Sequence, residues 1–135
     1  MEIEPTIPSS VIFSDGLIRE ERTGKLTLIG TFHHFNPPKL PFPFLPFFIT
    51  VSLSNFRGKL DRFKIGIRLE EKSSGLVVFN ATGEINSSNI MSPTDTVQVP
   101  FQVTGSFPAA GLYTVVILAE GEQIGSRDLI VNKPK

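Results

Sequence analysis

From Phe47 to Leu53 the chain alternates: Phe47, Ile49, Val51 and Leu53 fall on one parity, Phe48, Thr50 and Ser52 on the other. The same period of two runs through Phe63, Ile65, Ile67 and Leu69, interleaved with Lys64, Gly66, Arg68 and Glu70. It returns in Val97, Val99, Phe101 and Val103. Successive side chains of a strand point to opposite faces, so strict alternation predicts antiparallel sheet with one face on a core and one in water. Pro100 interrupts the last of these segments; lacking an N–H, it predicts an edge strand or a bulge. Residues 10–20, 25–34, 76–85, 112–120 and 124–131 also read as extended. Glycine-bearing turns separate them at Gly24, Gly75 and Gly121. No stretch carries apolar residues at helical spacing between capping signals. The pattern therefore predicts an all-β fold, an antiparallel Greek-key β-sandwich of immunoglobulin-like type with about eight strands.

Two local features sharpen this expectation. The run LYTVVILA, residues 112–119, is apolar on both parities, which predicts a central strand covered on both faces. The tight turn at Gly121 then predicts that 124–131 pairs beside it. Tyr113, the only tyrosine, stands two residues after Gly111 at a strand start. There it either returns its hydroxyl to the backbone upstream as a tyrosine corner or is a plain core tyrosine with its hydroxyl at the rim.

The chain reads as one domain over residues 1–135, with an N-terminal arm at 1–9 and a tail at 132–135. Residues 35–46 form a proline- and phenylalanine-rich crossover. Proline fixes φ and pushes the preceding residue toward extended backbone, so FNPPKLPFPFLP predicts a stiff link closing one end of the sandwich. Its apolar side chains Phe42, Phe44 and Leu45 either cap the core or stand exposed as an interface to another protein or a second copy. The P-x-x-P spacings within it also suit an SH3-like groove, but such ligands belong to solvated tails. With Lys39 as its only charge, the segment lacks the basic flank that holds an apolar tip at anionic lipid.

Composition narrows the function classes. Apolar residues make up 40% and charged residues 19%, which is a globular rather than a disordered balance. Thirteen basic and thirteen acidic residues give a net charge of zero with no basic stripe, so nucleic acid is not expected as a partner. No segment approaches the roughly eighteen consecutive apolar residues of a membrane span. Cysteine is absent, and the segment MEIEPTIPSS lacks the basic start and apolar run of a secretory signal. The expectation is a cytoplasmic protein.

Few residues offer chemistry. His33 and His34 are the only histidines, and as strand neighbours they point to opposite faces. Zinc takes three or four protein ligands, which this pair cannot supply without cysteine. The aspartates Asp15, Asp61, Asp95 and Asp128 are dispersed, with no Asp-x-Asp pair for calcium. No Gly-x-Ser-x-Gly elbow appears. The densest charge cluster is Asp15, Arg19, Glu20, Glu21 and Arg22. Asp15 and Arg19 share a strand face and are expected to pair with each other or with neighbours, fixing a hairpin. No cofactor, metal or catalytic residue is expected.

The segment VIFSDGLIREERTGKLTLIGTF, the Pro/Phe crossover and GLYTVVILAEGEQIGSRDLIV together resemble a family of small bacterial β-sandwich proteins of unknown function. The matching positions are Asp15, Arg19, Glu21, Gly24, Lys25, Leu28, Ile29 and Gly30, then Gly111, Tyr113 and Gly121, over most of the chain. The resemblance implies an immunoglobulin-like fold and carries over no catalytic residue. The expectation is a non-catalytic binding or assembly module whose partner is a protein, itself included. Competing readings are a small enzyme with a shallow site in the end loops and a structural piece that self-assembles through strand edges.

Overall fold

A computed structural model describes residues 4–57, 62–86 and 96–135, with side chains from residue 10 onward except at 44–45, 55–57 and 63. Nine strands run through these residues: β1 (Glu4–Arg19), β2 (Leu26–Phe32), β3 (His34–Phe35), β4 (Phe42–Arg57), β5 (Arg62–Glu71), β6 (Val77–Asn86), β7 (Val97–Phe107), β8 (Gly111–Ala119) and β9 (Glu122–Val131). No helix occurs among the described residues.

The strands form two sheets. One has the order β2-β1-β4-β7, the other β3-β9-β8-β5-β6. All pairings are antiparallel except the short β3–β9 contact, which is parallel. Period-two alternation places Phe13, Ile49, Val51, Leu53, Val103 and Phe107 of the first sheet against Ile65, Ile67, Leu69, Val115, Ile117 and Leu129 of the second, in one core. The sheets curl toward each other at both sides, where β1 meets β9 and β6 meets β7.

Pro100 lies opposite Thr50 on β7, an edge strand among the described residues. β8 is central in its sheet, and β9 pairs beside it through the turn Glu120–Gly121. Both turn residues have positive φ, 50° and 83°, the conformation that lets a two-residue hairpin follow the strand twist.

The strand count and two boundaries differ from the expectation, and proline is the reason for the boundaries. The added strand is β3, two residues long, too short to leave a periodic signal. Residues 4–9, expected as an arm, continue β1 and pair with β4 from Glu4 opposite Arg57. Residues 42–46, expected within the crossover, begin β4 and pair with β7 from Phe42 opposite Phe107. In each place the strand has a neighbour on one side only among the described residues: β2 pairs with β1 from Phe13 onward, and β1 reaches along β4 only to Phe48. A strand with one open side loses no ladder bond to a proline placed there. Register shifts at Pro8/Ser10 and between Phe44 and Phe47 take up the remaining mismatch.

The crossover thus shrinks to residues 36–41, with a cis peptide at Leu40–Pro41. Its flanking phenylalanines turn inward. Phe35 packs 5.1 Å from Phe107 and 6.0 Å from Phe42; Phe32 meets Phe47 at 5.5 Å; Phe107 meets Tyr113 at 5.0 Å. Centroid separations of this size are those of edge and tilted aromatic pairs. Phe42 is half-buried within this cluster. The side chains of Phe44 and Leu45 lie outside the described residues.

The β1–β2 hairpin does not continue straight. Ile12 and Pro100 both lie opposite Thr50, so they are level along the sheet. Seven residues further, Arg19 would stand about 23 Å beyond them on a straight strand. Instead Arg19 and Leu26 line the same groove as Pro100. The hairpin therefore bends back toward β7. Within this hairpin Gly30 has φ 67°, and an added Cβ there would come within 2.6 Å of Asp15 Oδ2. The residues beneath, Ser14, Thr50 and Ser52, are buried although their parity is opposite to that of the core residues Phe13, Ile49 and Val51.

Candidate functional site

The hairpin tip is built by a turn that the chain uses twice. In residues 20–25, the Glu20 N–H donates to Lys25 O and the Gly24 N–H to Glu20 O, both at 2.8 Å. The Thr23 hydroxyl donates to Glu20 Oε2 at 2.6 Å and accepts from the Lys25 N–H at 3.2 Å. In residues 71–76, the Glu71 N–H donates to Leu76 O and the Gly75 N–H to Glu71 O, again at 2.8 Å. Ser74 plays the part of Thr23, at 2.6 Å to Glu71 Oε1 and 3.2 Å from the Leu76 amide. The shared pattern is Glu-x-x-Ser/Thr-Gly. The glutamate ties the turn's hydroxyl, the hydroxyl takes an amide, and the glycine (φ 70° and 75°) supplies left-handed backbone.

Arg19 completes the first turn by donating from Nη1 to Gly24 O at 3.0 Å. Of the two arrangements expected for Arg19, with Asp15 or with a neighbour, the structure has the second. The two share a hairpin face as expected, but the turn carbonyl is the nearer acceptor for Arg19, and the Asp15 carboxylate rests against Gly30. Glu21 and Arg22 are exposed.

Between this tip and the facing strands lies a groove of about 650 Å³. Arg19, Thr23, Gly24, Lys25 and Leu26 line it from the hairpin, Glu84 and Ile85 from β6, and Thr96–Pro100 from β7. Its polar groups are largely committed within the protein. Arg19 and Thr23 serve the turn, and Glu84 stands 3.7 Å from Arg62. A second hollow, of about 660 Å³, lies between Asn36–Pro38 and the tail residues Asn132, Lys133 and Lys135. There the tail is tied down by Asn132: its N–H donates to Phe35 O at 2.9 Å and its Nδ2 to Asn36 Oδ1 at 2.7 Å.

At the start of β8, Tyr113 is buried and its hydroxyl donates to Ala109 O at 2.7 Å, four residues upstream. The Ala109 N–H approaches the same oxygen at 3.4 Å, as does Glu71 Oε2. The corner geometry therefore holds, with Gly111 between its arms at φ 140°. Burial, and after it the Glu71 carboxylate, pushes the phenol pKa above its ordinary value, opposed by the bond to Ala109.

The two histidines go separate ways. His34 pairs with Ile130 of β9, and His33 Nδ1 meets Arg127 Nη2 at 3.1 Å. A guanidinium only donates, so in this contact Nδ1 is the accepting atom. Among the described residues no group of three or more His, Asp or Glu side chains gathers to hold a metal ion. Asp61 and Asp95 lie outside the described residues.

Arg127 is the residue that sequence reasoning passed over. Its guanidinium sits 4.6 Å from the centre of the Phe13 ring, donates from Nη1 to Val11 O and meets His33. It thereby clamps β9 to β1 and to the bend between β2 and β3, combining charge-assisted hydrogen bonds with a cation–π contact. The signal was present: Arg127 shares the parity of the buried Leu129 and Val131, a charge at an inward position.

No protein of curated function matches the chain in sequence. A model for a family of unknown function, DUF6941, matches residues 9–132, nearly the whole described fold and every turn and corner above. The chain belongs to that family.

Proposed function

We propose that the protein is a non-catalytic binding or assembly module on an immunoglobulin-like, Greek-key frame. The strand order supports the frame. β1, β4 and β7 take the places of strands A, B and E in one sheet, and β5, β8 and β9 those of C, F and G in the other. On this assignment Tyr113 falls at the start of strand F, where the tyrosine corner of such domains belongs. The β1–β2 hairpin is then an elaboration of the first strand, and β6 a flanking addition.

The observation that carries the binding reading is a division of labour. Of the polar groups lining the groove, Arg19 and Thr23 serve the turn and Glu84 an ion pair, while large apolar side chains such as Ile18, Ile29, Leu112 and Ile130 stand exposed on the strands. An enzyme needs the reverse, convergent polar groups in a concavity. A binding module displays apolar surface on a rigid scaffold. The segment around Phe42, Phe44 and Leu45 is a second docking surface, although Phe42 itself is engaged with Phe35.

Light scattering at several concentrations, together with a thermal-shift panel of small metabolites, tests the reading. A mass above one chain, with a melting temperature indifferent to the panel, is the expected result. A strict monomer stabilised by a metabolite would move the assignment to the enzyme class.

A further inference from the structure

We propose that the outer surface of the five-stranded sheet, around Leu112 and Ile130, is a two-fold interface between copies of this chain. The inference rests on the binding-module reading and names the surface and the partner.

Six large apolar side chains stand exposed among the described residues, and four of them, Leu76, Val77, Leu112 and Ile130, belong to one end of this sheet. Register brings them together. Leu112 lies opposite Ile130. The Leu112 carbonyl accepts the Lys72 amide at 2.9 Å, which draws the β5–β6 turn and Leu76 alongside. Val77 lies opposite Glu70, which in turn lies opposite Thr114. The four thus span β6, β5, β8 and β9, three strand spacings or about 15 Å. Between them Thr114 and Val116 are themselves buried.

The charges on this surface select the occupant. Lys72 stands 3.6 Å from Asp128, and Arg68 is bonded to Glu70 at 2.9 Å, so these two cations already face anions. Such a surface has no net field with which to recruit a basic or acidic partner, and it is not the concavity that a small ligand requires. It does complement itself. Across a two-fold axis the apolar residues meet their equivalents, and the Lys72–Asp128 pair can be exchanged between copies without leaving a charge unpaired. The net charge of zero removes long-range repulsion between copies.

Sedimentation equilibrium and light scattering of the full chain test this. The wild type is expected to dimerise with concentration. The exposed double substitution Leu112→Thr/Ile130→Thr keeps strand-forming residues and is expected to leave the circular dichroism and melting of the monomer intact while weakening dimerisation about tenfold or more. Lys72→Glu should weaken it as well, and Lys72→Glu/Asp128→Lys should restore it, with the melting of the monomer unchanged in both variants. A dimer indifferent to all these changes but dissociated by Phe42→Ser would overturn this surface and leave the assembly reading standing. A wild type that stays monomeric at every concentration would overturn the inference and leave only binding to a different protein.

Discussion

Tyr113 has one hydroxyl proton and two acceptors within reach, Ala109 O at 2.7 Å and Glu71 Oε2 at 3.4 Å, and the shorter contact takes it. Tyr113→Phe removes that bond while keeping the ring against Phe107. It should cost about 1–2 kcal/mol in urea denaturation, and an unchanged midpoint would mean the corner adds nothing. The phenol's raised pKa also sets a pH dependence. The folded state holds the proton to higher pH than the unfolded state, so this contribution is complete below about pH 10 and is lost as pH rises through the folded value. The phenylalanine variant should lack that component of the alkaline loss. Thr50 poses the opposite case. Its Oγ1 is buried with no hydrogen-bond partner among the described residues. Thr50→Val keeps the shape and removes the group, and should raise stability by about 1 kcal/mol in the same assay.

At the scale of the element, the two Glu-x-x-Ser/Thr-Gly turns allow a controlled comparison. A Cβ added at Gly24 or Gly75 meets nothing within 4 Å, so alanine there is opposed only by the left-handed backbone. Gly24→Ala and Gly75→Ala should each cost about 1 kcal/mol, with asparagine recovering much of it; a loss as large with asparagine as with alanine would place the effect elsewhere. At Gly30 the same backbone cost is joined by the collision with Asp15 Oδ2, so substitution there should act on the bend of the hairpin itself. The strands obey a further rule visible at this scale. Pro5, Pro8, Pro43, Pro46 and Pro100 all occupy stretches where their strand has a single hydrogen-bonded neighbour among the described residues. Prolines that look like strand breakers in the sequence are here markers of a one-sided strand.

The whole molecule depends on one core and on the clamp that closes its β1–β9 side. Ile65 is wholly buried at the centre of that core. Ile65→Ala should cost about 2–5 kcal/mol, and less than half the lower figure would be inconsistent with a packed interior. Arg127→Ala removes the donor to Val11 O and His33 and the cation over Phe13, and should cost about 2 kcal/mol although the residue is polar and lies outside the core cluster. Calorimetry of the two variants separates a loss of packing from the opening of a seam.

What the amino-acid sequence determines by itself is periodic and local. Alternation in 47–53, 63–69 and 97–103 specifies strands and their inner faces, because a strand in any context turns successive side chains to opposite sides. Glycines at 24, 75 and 121 specify turns, because left-handed backbone is costly for other residues. The two-sided apolar run 112–119 specifies a central strand for the same reason. What only the tertiary structure decides is which neighbours these elements acquire. Whether a proline is tolerated at 43 depends on the β1–β4 pairing ending at Phe48, and whether Arg19 meets Asp15 or Gly24 depends on how the turn closes. The inward Arg127 is acceptable only because Phe13, Val11 and His33, more than ninety residues away in the chain, surround its guanidinium. Contacts of that range leave no periodic trace, since they arise from the closing of one sheet upon another.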